Sequence, residues 1–200
     1  MFFAFFFSVE VATAQQKSPL ALNLYGSYIF KDNIYFDNFS GYAAGGFQYG
    51  VGLEYFLEKL RSVEVKYLRQ ETHFPLYGSG GNQLNEGKNK ALVSYVLLSG
   101  TNYFESSPQQ VVVPFAGFGL GVGILDADNG GSTAKFAWDT RLGVQIKTSS
   151  QISFKFQASL QSITAAVGSD FYSTSIGTVA LPDYVTLWQF GLGGALCYHF

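Results

Sequence analysis

Cysteine is nearly absent from this chain. A single one, Cys197, stands among 200 residues, so no internal disulfide framework can hold the fold together. It falls on the small-residue face of the last strand-like run, which fits a packing residue and not a reactive thiol. Proline is sparse as well, at 5 residues, and only 13% of the chain is charged, with a net charge of -2. Nothing in that balance points to a nucleic-acid partner. The two histidines, His73 and His199, fall at opposite ends of the strand pattern, so with one cysteine they make no transition-metal site. No cofactor is expected. No nucleophile motif surrounds His73, so no enzymatic activity is expected either. Gly119-x-Gly121-x-Gly123 lies inside a strand and opens no helix, which excludes a phosphate loop. Beyond the first 15 residues, no run approaches the roughly 18 apolar residues of a transmembrane helix.

What the chain has is aromatic residues and glycine: 20 Phe, 13 Tyr and 23 Gly. That mixture favours strands over helices. Met1 to Ala14 reads as an export signal, an apolar tract leading into the small-x-small cleavage pattern Ala12-Thr13-Ala14. No Lys or Arg precedes the tract, as expected of a start placed downstream of the true one. Residues 15–200 then form one domain.

Side chains alternate across a strand with period two, and that period recurs eight times. The clearest case runs from Tyr184 to Phe200. Trp188, Phe190, Leu192, Leu196, Tyr198 and Phe200 share one face, while Gln189, Gly191, Gly193, Ala195, Cys197 and His199 share the other. Similar runs span Leu20–Phe30, Gly46–Leu57, Ser62–Gln70, Pro114–Leu125, Lys135–Lys147 and Gln151–Leu160. A run over Ala91–Phe104 alternates poorly. Connections of a few residues (58–61, 105–110 and 148–150) trade places with long polar or glycine-rich ones (31–42, 72–90, 126–134 and 164–183). The pattern predicts an all-β fold, an eight-stranded antiparallel up-and-down transmembrane β-barrel with short turns at one rim and long loops at the other.

A water-soluble, lipocalin-like barrel shares the same period with its polar face outward. Three features favour the membrane. Gly117, Gly119, Gly121 and Gly123 stack on one face, which is useful inside a narrow barrel and wasteful on a solvated surface. Aromatics gather at strand ends, with Tyr28, Phe30, Phe136, Trp138, Tyr184 and Trp188 toward the long loops and Tyr55, Tyr103, Tyr198 and Phe200 toward the short turns. Charges almost vanish from the apolar faces. Arg69 is the main exception and is expected near the outer rim, where its cost is small.

With these strands, the loop asymmetry and the terminal Leu196-x-Tyr198-x-Phe200, the chain resembles the small outer-membrane β-barrels of the OmpA/OmpX/OmpW type and the porin-like outer-membrane barrel domains. The resemblance implies a Gram-negative outer membrane, lipid as surroundings, and no nucleic acid. It also implies that Leu196, Tyr198 and Phe200 are read by the barrel-assembly machinery. With Phe200 last, no OmpA-type peptidoglycan-binding domain is expected.

The face opposite the apolar one carries Glu54, Glu64, Lys66, Asp139, Arg141, Gln145, Lys147, Lys155 and Gln157. Eight strands leave an interior just wide enough for side chains to fill, and buried charges must be paired. A closed polar network that plugs the lumen is therefore expected, with Glu54 near Glu64 and Lys66, and with Gln145 and Lys147 near Ser153 and Lys155. The loop segment Tyr35, Phe36, Asp37 and Phe39 is a candidate contact for an extracellular ligand or solute. Function stays open between a structural or surface-binding barrel, narrow-pore or lateral-exit transport of small solutes, and a PorT-like part of an envelope or secretion assembly.

Overall fold

The computed structural model describes residues 19–35, 39–78, 82–83, 90–127, 131–166 and 184–200. The export segment 1–14 lies outside them. Among the described residues, eleven strands run in chain order: β1 (Leu20–Ile29), β2 (Asp32–Tyr35), β3 (Phe39–Ala43), β4 (Gly46–Glu58), β5 (Arg61–His73), β6 (Leu76–Gly78), β7 (Lys90–Tyr103), β8 (Val112–Ala127), β9 (Gly131–Lys147), β10 (Ile152–Ala166) and β11 (Tyr184–His199). Eight of them close an antiparallel barrel in the order β1-β11-β10-β9-β8-β7-β5-β4. Closure comes from β1, which pairs β11 from Ala21↔His199 to Ile29↔Gly191 and β4 from Leu20↔Tyr55 to Ile29↔Gly46. No barrel strand is left with an open edge, as a lipid-embedded sheet requires.

Two departures from the expected layout lie at the long-loop rim. The first and second long connections contain strands of their own, since β2, β3 and β6 form a separate three-stranded sheet. The third, expected as a loop over 126–134, is largely strand. β8 and β9 stay paired up to Ala127↔Gly131, so the hairpin extends the barrel wall on that side. Glycine and small polar residues had signalled a loop there, but nothing in them breaks ladder pairing once the partner strand is in register.

The wall has two unlike faces. Outward, every barrel strand exposes large apolar side chains, among them Leu24, Leu53, Val65, Leu98, Phe118, Leu142, Phe156 and Leu192. Phe118, Leu142 and Phe156 are 51%, 64% and 55% exposed, whereas Lys66, Asp139 and Lys155 are each buried to 1–2%. A water-soluble carrier requires the reverse arrangement, so that alternative does not hold. Water would oppose such a continuous apolar belt, and acyl chains accept it.

The interior is filled in layers. Toward the long-loop end, Ile29, Leu68, Val93, Leu97, Leu125, Ile163 and Leu187 are almost fully buried. Toward the short-turn end, Tyr103, Val113 and Phe115 form a second cluster with Phe56 and Leu60 packed against it. Tyr103 therefore turns inward and does not join the outer aromatic belt as expected. It is 5% exposed, and its hydroxyl donates to Glu54. Between these two ends sits the charged layer, with the buried amides of Gln48, Gln70, Gln161 and Gln189 among the apolar side chains on its long-loop side.

Glycine makes that layer possible. A Cβ on Gly119 would collide with the Ser99 hydroxyl and the Asp139 carboxylate, and one on Gly52 with the Glu64 carboxylate. Side chains crossing the lumen occupy the space those glycines leave.

Candidate functional site

The register β4–β5 sets Glu54 directly opposite Glu64. Two carboxylates side by side in a dry interior would repel strongly, and the fold answers with donors from across the barrel. Asn23 Nδ2 on β1 bridges them, donating to Glu54 at 2.9 Å and to Glu64 at 2.7 Å. Glu54 also accepts from Ser62 Oγ at 2.5 Å, Tyr103 OH at 2.5 Å and Lys155 Nζ at 2.6 Å. Glu64 accepts from Tyr25 OH at 2.6 Å and Arg141 Nη1 at 3.2 Å. Arg141 extends the chain toward Asp139, with Nε 3.5 Å from Oδ2, and Asp139 is paired in turn with Lys66. Three acids thus meet three bases, and the formal charge of the layer sums to zero. A paired, hydrogen-bonded set is the form in which burial of charge is tolerated.

Of the polar residues expected in the lumen, six are the ionic groups of this layer: Glu54, Glu64, Lys66, Asp139, Arg141 and Lys155. The expected neighbourhood of Glu54 holds for Glu64. The cation on Glu54, however, is Lys155 from across the barrel, while Lys66 on the adjacent strand serves Asp139. Gln145 lies nearer the short-turn mouth, where its Nε2 donates to Ser153 Oγ at 2.7 Å. Lys147 is a correction. It faces the mouth and not the closed layer, is 38% exposed, and pairs with Glu105 at 2.9 Å. The last turn of strand carries it past the charged layer, where no closed wall surrounds it. Gln157 faces Gly143 and Gly193 on the flanking strands and takes no part in the ion network.

Asn23, Tyr25 and Ser62 join the charged layer beyond the expected set, as does Tyr103, expected instead in the outer belt, and Gln48, Tyr95, Gln161 and Gln189 lie above it. In that upper group Tyr95 OH donates to Gln189 Oε1 at 2.9 Å. The available signal was phase. Asn23 and Tyr25 alternate with the apolar Leu22 and Leu24, and so belong to the inner face.

At the short-turn mouth a cavity of about 460 Å3 opens. Phe56, Tyr103 and Val113 supply apolar wall, and Lys147, Ser149 and Ser153 supply polar wall. Glu105 draws Lys59 (3.3 Å) and Lys147 (2.9 Å) together across it. The Lys147 ammonium, with that of Lys59 nearby, holds the Glu105 carboxyl below the usual carboxylate range.

At the opposite rim, Tyr42 and Tyr77 stack at 6.3 Å and Lys31 Nζ lies 3.9 Å above the Tyr42 ring. Phe36 and Asp37 of the loop candidate lie outside the described residues, while Tyr35 and Phe39 belong to the strands β2 and β3. Leu196, Tyr198 and Phe200 form an outward row at 41%, 41% and 53% exposure, with the Tyr198 and Phe200 rings edge to face at 5.2 Å. Arg69 is on the outward face, opposite Tyr49 and Ser94, in the half of β5 nearer the long loops.

An eight-stranded barrel with a greasy exterior and an ion-paired interior defines a transmembrane β-barrel of the outer-membrane kind. Comparison with solved structures agrees. The chain superposes on Neisserial surface protein A (NspA) with a TM-score of 0.63 at 15% identity, covering 93% of this chain and 100% of that one. It matches the outer-membrane protein OprG of Pseudomonas aeruginosa with a TM-score of 0.54 at 13% identity, covering 92% and 98%. No family model and no curated protein matches the sequence. At such identities the likeness is one of fold, that of the small outer-membrane β-barrels.

Proposed function

We propose that the protein is an integral outer-membrane barrel of a Gram-negative bacterium whose lumen is closed to solutes and whose work is structural or surface-binding, done at the long-loop rim. The observation that carries this reading is the neutral charged layer, backed by the buried group of Gln48, Tyr95, Gln161 and Gln189 on the long-loop side and by Tyr103, Val113 and Phe115 on the short-turn side. A water-filled pore needs unpaired polar wall and free volume along its axis. Here Glu54, Glu64 and Asp139 are matched by Lys155, Arg141 and Lys66, and all six are buried.

In this reading residues 1–14 direct export. The Leu196, Tyr198 and Phe200 row serves recognition by the barrel-assembly machinery. Both ends of the barrel chain lie on the periplasmic side with the short turns. The small sheet of β2, β3 and β6 is a platform on the cell exterior, and loops carried on a barrel scaffold are where binding concentrates. Tyr42 and Tyr77 of that sheet, with Lys31 over the Tyr42 ring, give it an aromatic-cationic feature. The test is a planar-bilayer recording of the purified, folded protein. The proposal expects no large stable conductance, and steps of porin size would overturn the closed-lumen reading.

A further inference from the structure

We propose that the short-turn mouth is a binding site for a small organic anion carrying an apolar group. The cavity there has the size of a small-molecule site, about 460 Å3, within the range of pockets that bury most of a ligand's surface. Its lining has two parts. Phe56, Tyr103 and Val113 form one wall, and Tyr103 and Val113 are themselves buried against Phe115, so that wall is rigid and apolar. Facing it are the Lys147 ammonium and the Ser149 hydroxyl, both hydrogen-bond donors, while the Ser153 hydroxyl behind them is engaged with Gln145 and His199.

The charge sum at the mouth selects the sign of the ligand. Glu58 lies 3.9 Å from Arg61 on the rim, so its charge is offset there. Among the described side chains that leaves Lys59 and Lys147 against the single carboxylate of Glu105, an excess of one positive side-chain charge. Nearer the lumen, Glu54 is already matched by Lys155 and contributes no net negative charge. The excess cation stands beside an apolar wall, where an anion gains more from it than in open water. Glu105 displays the chemistry involved: a carboxylate drawn between two ammonium groups at 3.3 Å and 2.9 Å. The Lys147 ammonium has three donors and directs one at Glu105, so it can hold a second carboxylate at the cavity wall. The depressed Glu105 pKa reports the same positive surroundings. The site does not depend on the closed lumen, since it lies outside the charged layer.

The test uses the folded protein in lipid nanodiscs, with empty nanodiscs as the reference, and 4-fluorobenzoate as the probe followed by 19F NMR line broadening. Saturable binding above the empty-disc level is expected. Lys147→Gln should weaken it about tenfold or more, Lys147→Arg should retain it, and the neutral 4-fluorobenzyl alcohol should bind at least tenfold more weakly than the acid. Each variant is checked for folding by its heat-dependent gel mobility. Lack of saturable binding to the wild type, equal binding of acid and alcohol, or unchanged binding in a folded Lys147→Gln protein would each overturn the proposal.

Discussion

The Lys155–Glu54 pair offers the sharpest test of the interior. Lys155 is the cation on Glu54, at 2.6 Å, and both side chains are buried to 1–2%. Lys155→Met keeps the length of the side chain and removes its charge. Glu54 then keeps its hydrogen bonds from Asn23, Ser62 and Tyr103 but loses its counter-charge. Stranding a buried carboxylate in this way costs about 3–5 kcal/mol. Glu54→Gln alone strands Lys155 over the rings of Tyr103 and Phe115, at 5.5 and 5.8 Å, and should cost a similar amount. The double variant carries neither charge, so it should lose much less than the sum of the two, with a coupling energy of at least about 2 kcal/mol. The assay is equilibrium unfolding in urea from lipid vesicles, read by the gel shift between folded and unfolded bands. Strict additivity, or single variants within about 0.5 kcal/mol of wild type, would mean that water reaches these groups and that the lumen is not closed.

Three further outcomes follow from named contacts. Gly119→Ala places a methyl group against Ser99 and Asp139 and should destabilise the barrel by about 1–3 kcal/mol. Gly100→Ala has nothing within 4 Å of the added carbon and should be near neutral in the same unfolding assay. Leu120→Arg, in the middle of β8 on the lipid face, should cost about 2–4 kcal/mol, against about 0–1 kcal/mol for Leu57→Arg beside the β4–β5 turn, measured by unfolding from vesicles. The Glu105 carboxyl has a folded-state pKa below its ordinary 4.5. It therefore contributes stability above pH 4.5 that fades as pH falls through the lower folded-state value. Glu105→Gln should flatten the stability profile in that acid window and leave its slope at neutral pH unchanged.

The barrel was legible because period-two alternation survives along most of its strands. Leu24, Val65, Phe118, Leu142 and Phe156 mark the lipid side by phase alone, and the stacked glycines of β8 mark the inner side. Phase assigns a face, but it says nothing of which inner groups meet across the lumen. Glu54 and Lys155 are 101 residues apart, and only barrel closure brings β10 opposite β4. Tyr103 was misplaced for a related reason. On β7 the inner face carries Val93, Tyr95, Leu97 and Tyr103, all nearly buried, so both faces are apolar and the alternation that reveals orientation fades. The sheet of β2, β3 and β6 was hidden by its shortness. Strands of 4, 5 and 3 residues give too few repeats to distinguish from loop.

The orientation of the wall is tested most directly by spin labels at Val65, Val96, Leu98 and Leu142, placed one at a time in a Cys197→Ala background in lipid vesicles. Oxygen dissolved in the bilayer should relax all four labels strongly, and a water-soluble nickel chelate should leave them nearly untouched. Strong relaxation by the chelate with little effect of oxygen would place these side chains in water, and the transmembrane barrel would not stand.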